Sequence, residues 1–190
     1  MFCLLALSGD ATIGAEPTAV VTVEKRGEVF VVDATTDVQV SVETAWEVLT
    51  DFDHMASILG NLTSSKVIRH DGDIWVIRQE GVAKYGPLSF SFEAEREVRL
   101  EPMKRILARN LSGTLKRMES EAKIAPLDRG VQITYRAEME FDSLLARLFG
   151  ATFVRHEIEE QLSAMAKEML RRQAHVEPAG DASGSPAHGP

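Results

Sequence analysis

One stretch of the chain, Leu88 to Leu100, reads LSFSFEAEREVRL and alternates between apolar and polar residues along almost its whole length. A period of two indicates a β-strand with one buried face and one face in solvent. The polar face carries three glutamates, whereas the apolar face carries a single charged residue, Arg96. The alternation therefore predicts a sheet that covers a core, with one arginine directed into that core.

The same alternation recurs along the chain and predicts six further strands. These occupy residues 28–40, 62–69, 74–83, 105–111, 115–125 and 131–141. Short segments that contain Gly, Pro or Asp separate the later strands, as expected for hairpin turns. The sequence therefore predicts an antiparallel sheet of about seven strands.

Helical periodicity occurs in two places. After the first strand, Ser41 is positioned to cap a short helix and Asp53 to cap a second one, which ends at Gly60. From residue 144 to about residue 174 the apolar residues follow the period of a helix, with a break near Gly150. This helix is the only predicted element large enough to cover the apolar face of the sheet. The predicted fold is α+β: a helix-grip fold in which a curved antiparallel sheet wraps on a long C-terminal helix, with two short helices after the first strand.

Composition limits the class of protein and its partners. The chain has 21 basic and 29 acidic residues and a net charge of -8, which argues against a nucleic-acid-binding protein. No apolar run approaches the ~20 residues of a transmembrane segment, and transient contact with a membrane stays open. The only cysteine, Cys3, excludes an intramolecular disulfide. None of these features determines the oligomeric state.

Domain boundaries also follow from composition. Residues 19–175 form one predicted domain without a linker or an internal repeat. Residues 1–18 fit either a truncated signal peptide or a disordered N-terminus. Residues 176–190 are rich in Pro, Gly, Ala and Ser and are predicted to be disordered. A signal peptide would direct the protein to the periplasm or outside the cell, and without one it would be cytoplasmic.

Three stretches resemble a known group of proteins. They are ATTDVQVSVETAWEVLTDFDH at residues 34–54, IWVIRQEG at residues 74–81 and GTLKRMES at residues 113–120. With the order of elements, they resemble the SRPBCC superfamily of helix-grip proteins, and within it the polyketide cyclase/dehydrase and coenzyme Q-binding START-like branch. The resemblance implies a cavity between the sheet and the long helix that binds a hydrophobic small molecule, such as a lipid, a quinone or a polyketide. It selects no particular ligand.

The lengths of the hairpin loops predict which side chains share a face. A four-residue loop at 84–87 would place Trp75 opposite Arg96, with Gln79 on the same inner face. A two-residue turn at 102–103 would place Arg109 opposite Arg96. A further turn at 112–113 gives the inward side chains of the next strand: Met118, Ser120, Ala122 and Ile124. A bulge at any point would reverse the faces that follow it.

Two interpretations of Arg96 follow from this register. Opposed arginines on adjacent strands repel each other unless an anion lies between them. In the structural interpretation, Arg96 lies near the rim of the sheet and stacks on Trp75 or pairs with a glutamate of the helix. In the recognition interpretation, Arg96, Tyr135 and Gln79 bind a polar group, such as a carboxylate or a quinone oxygen, within an apolar pocket.

The candidate ligand-binding residues are the aromatic, sulfur-containing and polar side chains predicted to face the cavity. They are Trp75, Gln79, Phe90, Phe92, Arg96, Arg109, Tyr135, Met139 and Met165. No catalytic residue is assigned, because the predicted inner face has no carboxylate or histidine. The glutamates of residues 155–168 are assigned to the solvated side of the helix, and Asp51 and Asp53 to helix capping. No metal or cofactor is predicted, since Cys3 lies in the N-terminal segment and the histidines of the domain lie in separate elements.

These features favour a protein that binds or carries a hydrophobic small molecule. The first alternative is an aromatic polyketide cyclase/dehydrase in which Arg96 or Tyr135 orients or protonates an enolate. The second alternative is an adaptor that binds another protein, for which a filled interior would be expected. The lack of an inward acid or base favours binding over catalysis.

Overall fold

The computed structural model describes residues 19–141 and 150–176. The leader predicted for residues 1–18 and residues 177–190 of the predicted tail lie outside the described residues, and so do residues 144–149 of the predicted long helix.

Within residues 19–141 and 150–176 the sheet contains eight strands, one more than predicted. They are β1 (Val20–Arg26), β2 (Val29–Val38), β3 (Leu62–Asp71), β4 (Ile74–Tyr85), β5 (Leu88–Glu101), β6 (Arg105–Gly113), β7 (Arg117–Leu127) and β8 (Gly130–Glu140). Neighbouring strands pair in the order β1-β2-β8-β7-β6-β5-β4-β3, and every pair is antiparallel. The last strand in the chain therefore lies inside the sheet, between β2 and β7. The additional strand, β1, is an edge strand in which only Val21 is fully buried, so its alternation is too short to predict it.

Helices precede β3 and follow β8. α1 (Val42–Thr50), a 3₁₀ turn (Phe52–His54) and α2 (Met55–Ile58) connect β2 to β3, and α3 (Ala151–Val176) is the long terminal helix. Ser41 caps α1 as predicted, since its Oγ accepts a hydrogen bond of 3.0 Å from the backbone amide of Thr44. The predicted capping role of Asp53 is wrong. Its carboxylate accepts a hydrogen bond of 2.8 Å from the backbone amide of Val67 and so anchors the 3₁₀ turn to β3.

The curved sheet buries its apolar face beneath α3. Alternate residues of β2 are buried: Phe30, Val32, Ala34, Thr36 and Val38. The facing residues of α3 include Phe153, Ile158, Leu162, Ala166 and Met169. Phe30 is fully buried and packs edge-on against Phe141, with 5.2 Å between the ring centroids. Each large apolar side chain buried in this way stabilises the fold by about 1.5–3 kcal/mol. The predicted α+β helix-grip fold is confirmed.

The hairpin between β4 and β5 has a shorter loop than predicted. Tyr85 pairs with Leu88, so the turn consists of Gly86 and Pro87. Gly86 has a φ of 58°, a conformation that glycine adopts without strain. The register differs by two residues from the predicted one, and because side chains alternate with a period of two, the faces are unchanged. The position opposite Arg96 is nevertheless occupied by Ile77, and Trp75 pairs with Val98.

The hairpin between β5 and β6 reverses one predicted face. Glu101 pairs with Arg105, so the loop has three residues, 102–104, in place of the predicted two. A difference of one residue exchanges the two faces of a strand. Arg109 therefore lies on the outer face of the sheet, where its Nε donates a hydrogen bond of 2.9 Å to Glu97. Its predicted position opposite Arg96 is wrong: the register set by this loop places Asn110 there, and the bulge lies beyond that pair, between Arg96 and Glu95.

The connection between β6 and β7 reverses the faces a second time. Backbone pairing is confined to Arg105–Arg109 with residues 119–123. Beyond it, the side chain of Asn110 connects the strands, since its Nδ2 donates to the carbonyl of Leu115 and its Oδ1 accepts from the amide of Met118. The two reversals cancel, and the side chains predicted to face inward on β7 do so: Met118, Ser120, Ala122 and Ile124.

A cluster of ion pairs joins α1 to α3. Arg172 contacts Asp51 at 2.6 Å and Glu168 at 2.7 Å, and Arg171 also contacts Glu168 at 2.7 Å. Hydrogen bonds from Arg171 and then Arg172 lower the pKa of the Glu168 carboxyl to about 2, although burial opposes this effect. The cluster fixes the end of α1 against the last turns of α3.

We expect this cluster to stabilise the protein above about pH 4.5 and to lose its effect as the pH falls toward 2. The pKa of Glu168 is lower in the folded protein than its ordinary value of 4.5, so acidification protonates the unfolded chain first. Arg172→Met should lower the free energy of unfolding by about 1–2 kcal/mol at neutral pH and by less at pH 3. Urea denaturation at several pH values measures this difference. Arg171→Met is the comparison variant: Arg171 is exposed and contacts Glu168 but not Asp51, so its substitution should cause a smaller loss; an equal loss in both variants would contradict the role of Arg172.

Candidate functional site

A cavity of about 170 Å³, here called the main cavity, lies between the inner face of the sheet and α3. Side chains of β4 to β8 form one wall, and the short helices and α3 form the other. Its apolar lining includes Phe52, Met55, Ile77, Val98, Leu162 and Met165. A concave apolar surface with a few polar groups is the usual form of a small-molecule binding site.

Arg96 is the only charged side chain in the wall of the main cavity among the residues that the structure describes. Its Nε atom is buried and has no hydrogen-bond partner within residues 19–141 and 150–176. Burial lowers the pKa of the Arg96 guanidinium, and the neighbouring Tyr135 opposes this shift. Neither contact of the structural interpretation, stacking on Trp75 or pairing with a helix glutamate, is found in these ranges. The cavity therefore has a hydrogen-bond donor without a protein acceptor.

Two further polar side chains lie in the same wall. Burial raises the pKa of the Tyr135 hydroxyl, although Arg96 and a hydrogen bond with Ser120 lower it, so the hydroxyl stays protonated at neutral pH. Gln79 is buried, and its Nε2 donates a hydrogen bond of 3.2 Å to Ser65, whose Oγ donates to the carbonyl of Phe52 at 2.6 Å. This chain of bonds fixes the Gln79 amide against the wall.

A second cavity of about 130 Å³ adjoins the main cavity. The two share four wall residues: Asn61, Phe92, Arg96 and Gln161. Glu157 of α3 lines the second cavity, and its carboxylate accepts a hydrogen bond of 2.9 Å from Nδ2 of Asn61. Burial raises the pKa of the Glu157 carboxyl, with a smaller contribution from Glu160, while Asn61 and His156 lower it. The prediction that every glutamate of this helix segment faces solvent is therefore wrong for Glu157.

The position of Glu157 follows from a helical spacing that the sequence contains. Phe153, Glu157, Gln161 and Met165 are four residues apart and lie along one side of α3. Phe153 is buried and Met165 lines the main cavity. Because Glu157 and Gln161 lie between these two residues on the same side of the helix, they also line the cavity walls. The prediction placed Glu157 in solvent because its side chain is charged. Its helical spacing from Phe153 and Met165 indicates instead that it faces the cavity.

Comparison with known families identifies the chain. The sequence profile described as polyketide cyclase/dehydrase and lipid transport matches residues 29–170, from the start of β2 almost to the end of α3. The chain belongs to this family. The predicted relationship to the SRPBCC superfamily is thereby confirmed, while coenzyme Q binding stays a prediction.

Solved structures share the fold of this polyketide cyclase/dehydrase and lipid transport family member at low sequence identity. A protein from Thermus thermophilus aligns with a TM-score of 0.65 and 16% identity, over 75% of this chain and 98% of its own. The Zhui aromatase/cyclase from a Streptomyces species aligns with a TM-score of 0.64 and 20% identity, over 80% and 98%. A STAR-related lipid transfer protein from Xanthomonas axonopodis aligns with a TM-score of 0.60 and 11% identity, over 79% and 98%. No curated protein sequence matches the chain.

The structure brings together most of the residues predicted to bind a ligand in this family member. Gln79, Phe92, Arg96, Tyr135 and Met165 line the main cavity, and Phe90 lines the second one. The predicted set did not include three residues of these walls. Asn61 and Gln161 line both cavities, and Glu157 lines the second one.

Three of the predicted ligand-binding residues lie in neither of these two walls. Trp75 stacks on His70, with 4.6 Å between the ring centroids, and lies 5.8 Å from Phe52. Met139 is buried in the core cluster that contains Phe30. Arg109 pairs with Glu97 on the outer face, as the three-residue loop requires.

Two further features of the described residues concern metals and membranes. The described side chains include no group of three or more His, Cys, Asp or Glu that could hold a metal ion. Among the helices of residues 19–141 and 150–176, none is both long and apolar enough to span a bilayer.

Proposed function

We propose that the protein binds and carries a hydrophobic small molecule, such as a lipid, a quinone or a polyketide-like compound, in the main cavity. The observation that carries this proposal is the largely apolar wall in which the buried Nε of Arg96 has no hydrogen-bond partner among the described residues. A buried donor without an acceptor costs free energy. A ligand oxygen that accepts a hydrogen bond from Arg96 would remove this cost, while the rest of the ligand contacts apolar side chains.

The polar wall residues indicate which ligand group binds there. Arg96 can only donate hydrogen bonds, and the Tyr135 hydroxyl nearby stays protonated and can also donate. Two donors on one wall fit a carboxylate, a quinone oxygen or a ketone. A ligand with such an oxygen at one point of an otherwise apolar skeleton is therefore complementary to the main cavity.

The volume of the main cavity limits the part of the ligand that it can hold. An apolar cavity of about 150 Å³ in another protein accommodates benzene, and the main cavity has about 170 Å³. One ring or a short acyl segment fits this volume. A longer ligand would extend into the second cavity through the wall that the two share.

The position of Glu157 favours a cyclase/dehydrase as the second candidate function. An aldol-type cyclisation uses a base that removes a proton next to a carbonyl and a donor that stabilises the resulting enolate oxygen. Glu157 and Arg96 both line the second cavity. The carboxylate of Glu157 could act as the base, and the guanidinium of Arg96 as the hydrogen-bond donor. The likeness to an aromatase/cyclase structure supports this candidate at the level of the fold. The adaptor alternative would require a filled interior, whereas the described residues line two cavities.

Native mass spectrometry of the purified protein, followed by organic extraction, tests the proposed carrier function. We expect a mass above that of the chain, and an extract that contains an acyl, isoprenoid or aromatic compound. Protein purified without such an adduct should bind added ubiquinone-1 or palmitate. Bare protein that binds neither probe would contradict carriage. A bound compound recovered in chemically altered form after incubation would favour the cyclase/dehydrase.

A further inference from the structure

The second cavity is a compartment of its own as well as an extension of the main cavity. Its wall includes four phenylalanines: Phe90, Phe92, Phe141 and Phe153. Its volume of about 130 Å³ is close to that of the main cavity, at about 170 Å³. Because Arg96 lines both compartments, a ligand whose acceptor group lies at Arg96 can place one apolar part in each of them.

Glu157 gives the second cavity a carboxylate, whereas the described wall of the main cavity has only neutral amide and hydroxyl oxygens as acceptors. One of its carboxylate oxygens, Oε2, accepts the hydrogen bond from Asn61, and the other has no partner in the described part of the chain. Asn61 is held in place because its backbone carbonyl accepts a hydrogen bond of 2.8 Å from the amide of Val82. The carboxylate is therefore positioned by a fixed neighbour and keeps one oxygen for a ligand.

The surrounding charges define what this oxygen can bind. The charged or titratable neighbours of Glu157 are His156 and Glu160 on its own helix, and Arg96 and Glu93 in the wall of the second cavity. A carboxylate only accepts hydrogen bonds, whereas a guanidinium only donates them. The ligand group that suits Glu157 is consequently a hydroxyl or an amine, and the group that suits Arg96 is a carbonyl or another acceptor.

We propose that the second cavity is a donor-selective subsite, in which Glu157 accepts a hydrogen bond from a hydroxyl or an amine of an elongated ligand. The acceptor group of the same ligand binds Arg96, and its two apolar parts occupy the two cavities. This inference rests on the ligand-binding function proposed above and adds to it the length and the polarity of the ligand.

Two benzophenones of equal size test the role of Glu157. 4-(Hydroxymethyl)benzophenone has a ring on each side of a carbonyl and a hydroxyl at one end, and 4-ethylbenzophenone carries a methyl group in place of that hydroxyl. Isothermal titration calorimetry gives the ratio of their dissociation constants for each variant. We expect the preference for the hydroxyl compound to fall about tenfold in Glu157→Met, because a hydrogen bond to a charged acceptor has about this effect on affinity. Glu160→Met is the matched control, since Glu160 is 66% exposed and lies in neither cavity wall; it should leave the ratio unchanged.

Filling each cavity separately tests the two-compartment arrangement. Ala83 is buried and lines only the second cavity, whereas Ala122 lines only the main one. Ala83→Leu should weaken binding of both benzophenones about tenfold and leave acetophenone, which has one ring and one carbonyl, unaffected. Ala122→Leu should weaken all three compounds.

The possible outcomes distinguish failure of the proposed subsite from failure of the proposed ligand-binding function. If the wild-type protein binds the benzophenones but their ratio is unchanged in Glu157→Met, or if their affinity is unchanged in Ala83→Leu, the subsite is overturned and ligand binding stands. If the wild-type protein binds none of acetophenone, the benzophenones, ubiquinone-1 and palmitate, both the subsite and the proposed function are overturned.

Discussion

Arg96→Met should stabilise the folded protein and weaken ligand binding at the same time. The substitution removes a half-buried cation, whose buried Nε has no hydrogen-bond partner in the described residues, and replaces it with an apolar side chain of similar length. We expect the free energy of unfolding to rise by about 1–3 kcal/mol. Affinity for a ligand with a carbonyl or carboxylate oxygen should fall about 10–100-fold, because a charge-assisted hydrogen bond is lost. Urea denaturation and calorimetric titration with ubiquinone-1 measure the two effects.

Arg109→Met is the matched control for this experiment. Arg109 lies on the neighbouring strand, but on the outer face, where it pairs with Glu97 and is 58% exposed. An exposed pair of this kind contributes less than about 1 kcal/mol, so stability should change little and ligand affinity should not change. If Arg96→Met lowered stability and left affinity intact, Arg96 would be a structural residue and the recognition interpretation would be wrong.

Gly81→Ala should destabilise the protein and disturb both cavities together. A Cβ atom at this position would lie 2.2 Å from the backbone carbonyl oxygen of Asn61 and 2.5 Å from the ring Cζ of Phe92. The backbone contact cannot be relieved by a side-chain rotation, so β4 must move away from the segment that carries Asn61. We expect the free energy of unfolding to fall by about 2–3 kcal/mol. Ligand affinity should fall about tenfold as well, because Asn61 and Phe92 line both cavities.

Gly60→Ala separates this effect from the general cost of replacing a glycine. Gly60 directly precedes Asn61, a Cβ added there would have no atom within 4 Å, and its φ is not positive. Its substitution should leave both stability and affinity nearly unchanged. Thermal denaturation and the titration used for Arg96 compare the two variants. Equal behaviour of Gly60→Ala and Gly81→Ala would show that the close approach at Gly81 has no energetic consequence.

The fold could be predicted from the sequence because most strands have one solvent-exposed face and one buried face. β8 alternates over its whole length, and in β2 the alternation predicts every buried residue except Val31. β1 was missed because an edge strand with one fully buried residue leaves almost no alternation to detect. The start of α1 could also be predicted, because the hydrogen bond that caps it joins Ser41 to Thr44, only three positions later in the chain.

The candidate site was less predictable for two reasons. It depends on the lengths of single loops, and some polar side chains in it face a cavity and not solvent. One additional residue in the loop at 102–104 decides that Arg109 faces solvent while Arg96 faces the cavity. The inward face of β7 was nevertheless predicted, because an error of one residue between β5 and β6 and an error of three residues between β6 and β7 both reverse the faces and so cancel. Glu157 was assigned to solvent on its charge alone, and Asn61 belongs to a turn that periodicity does not describe.

The strand order also determines when different parts of the sheet can form. β3 to β7 each pair with a strand that is next to them in the chain, so these hairpins can form as soon as their residues are available. β2 pairs with β8, about one hundred residues later, and β1 pairs only with β2. Contacts between distant residues carry a larger loop-closure cost and slow folding. During synthesis, the β1–β2 hairpin can form early, but it joins the rest of the sheet only after Gly130–Glu140 has left the ribosome. Both cavities are completed only when the last helix has been made.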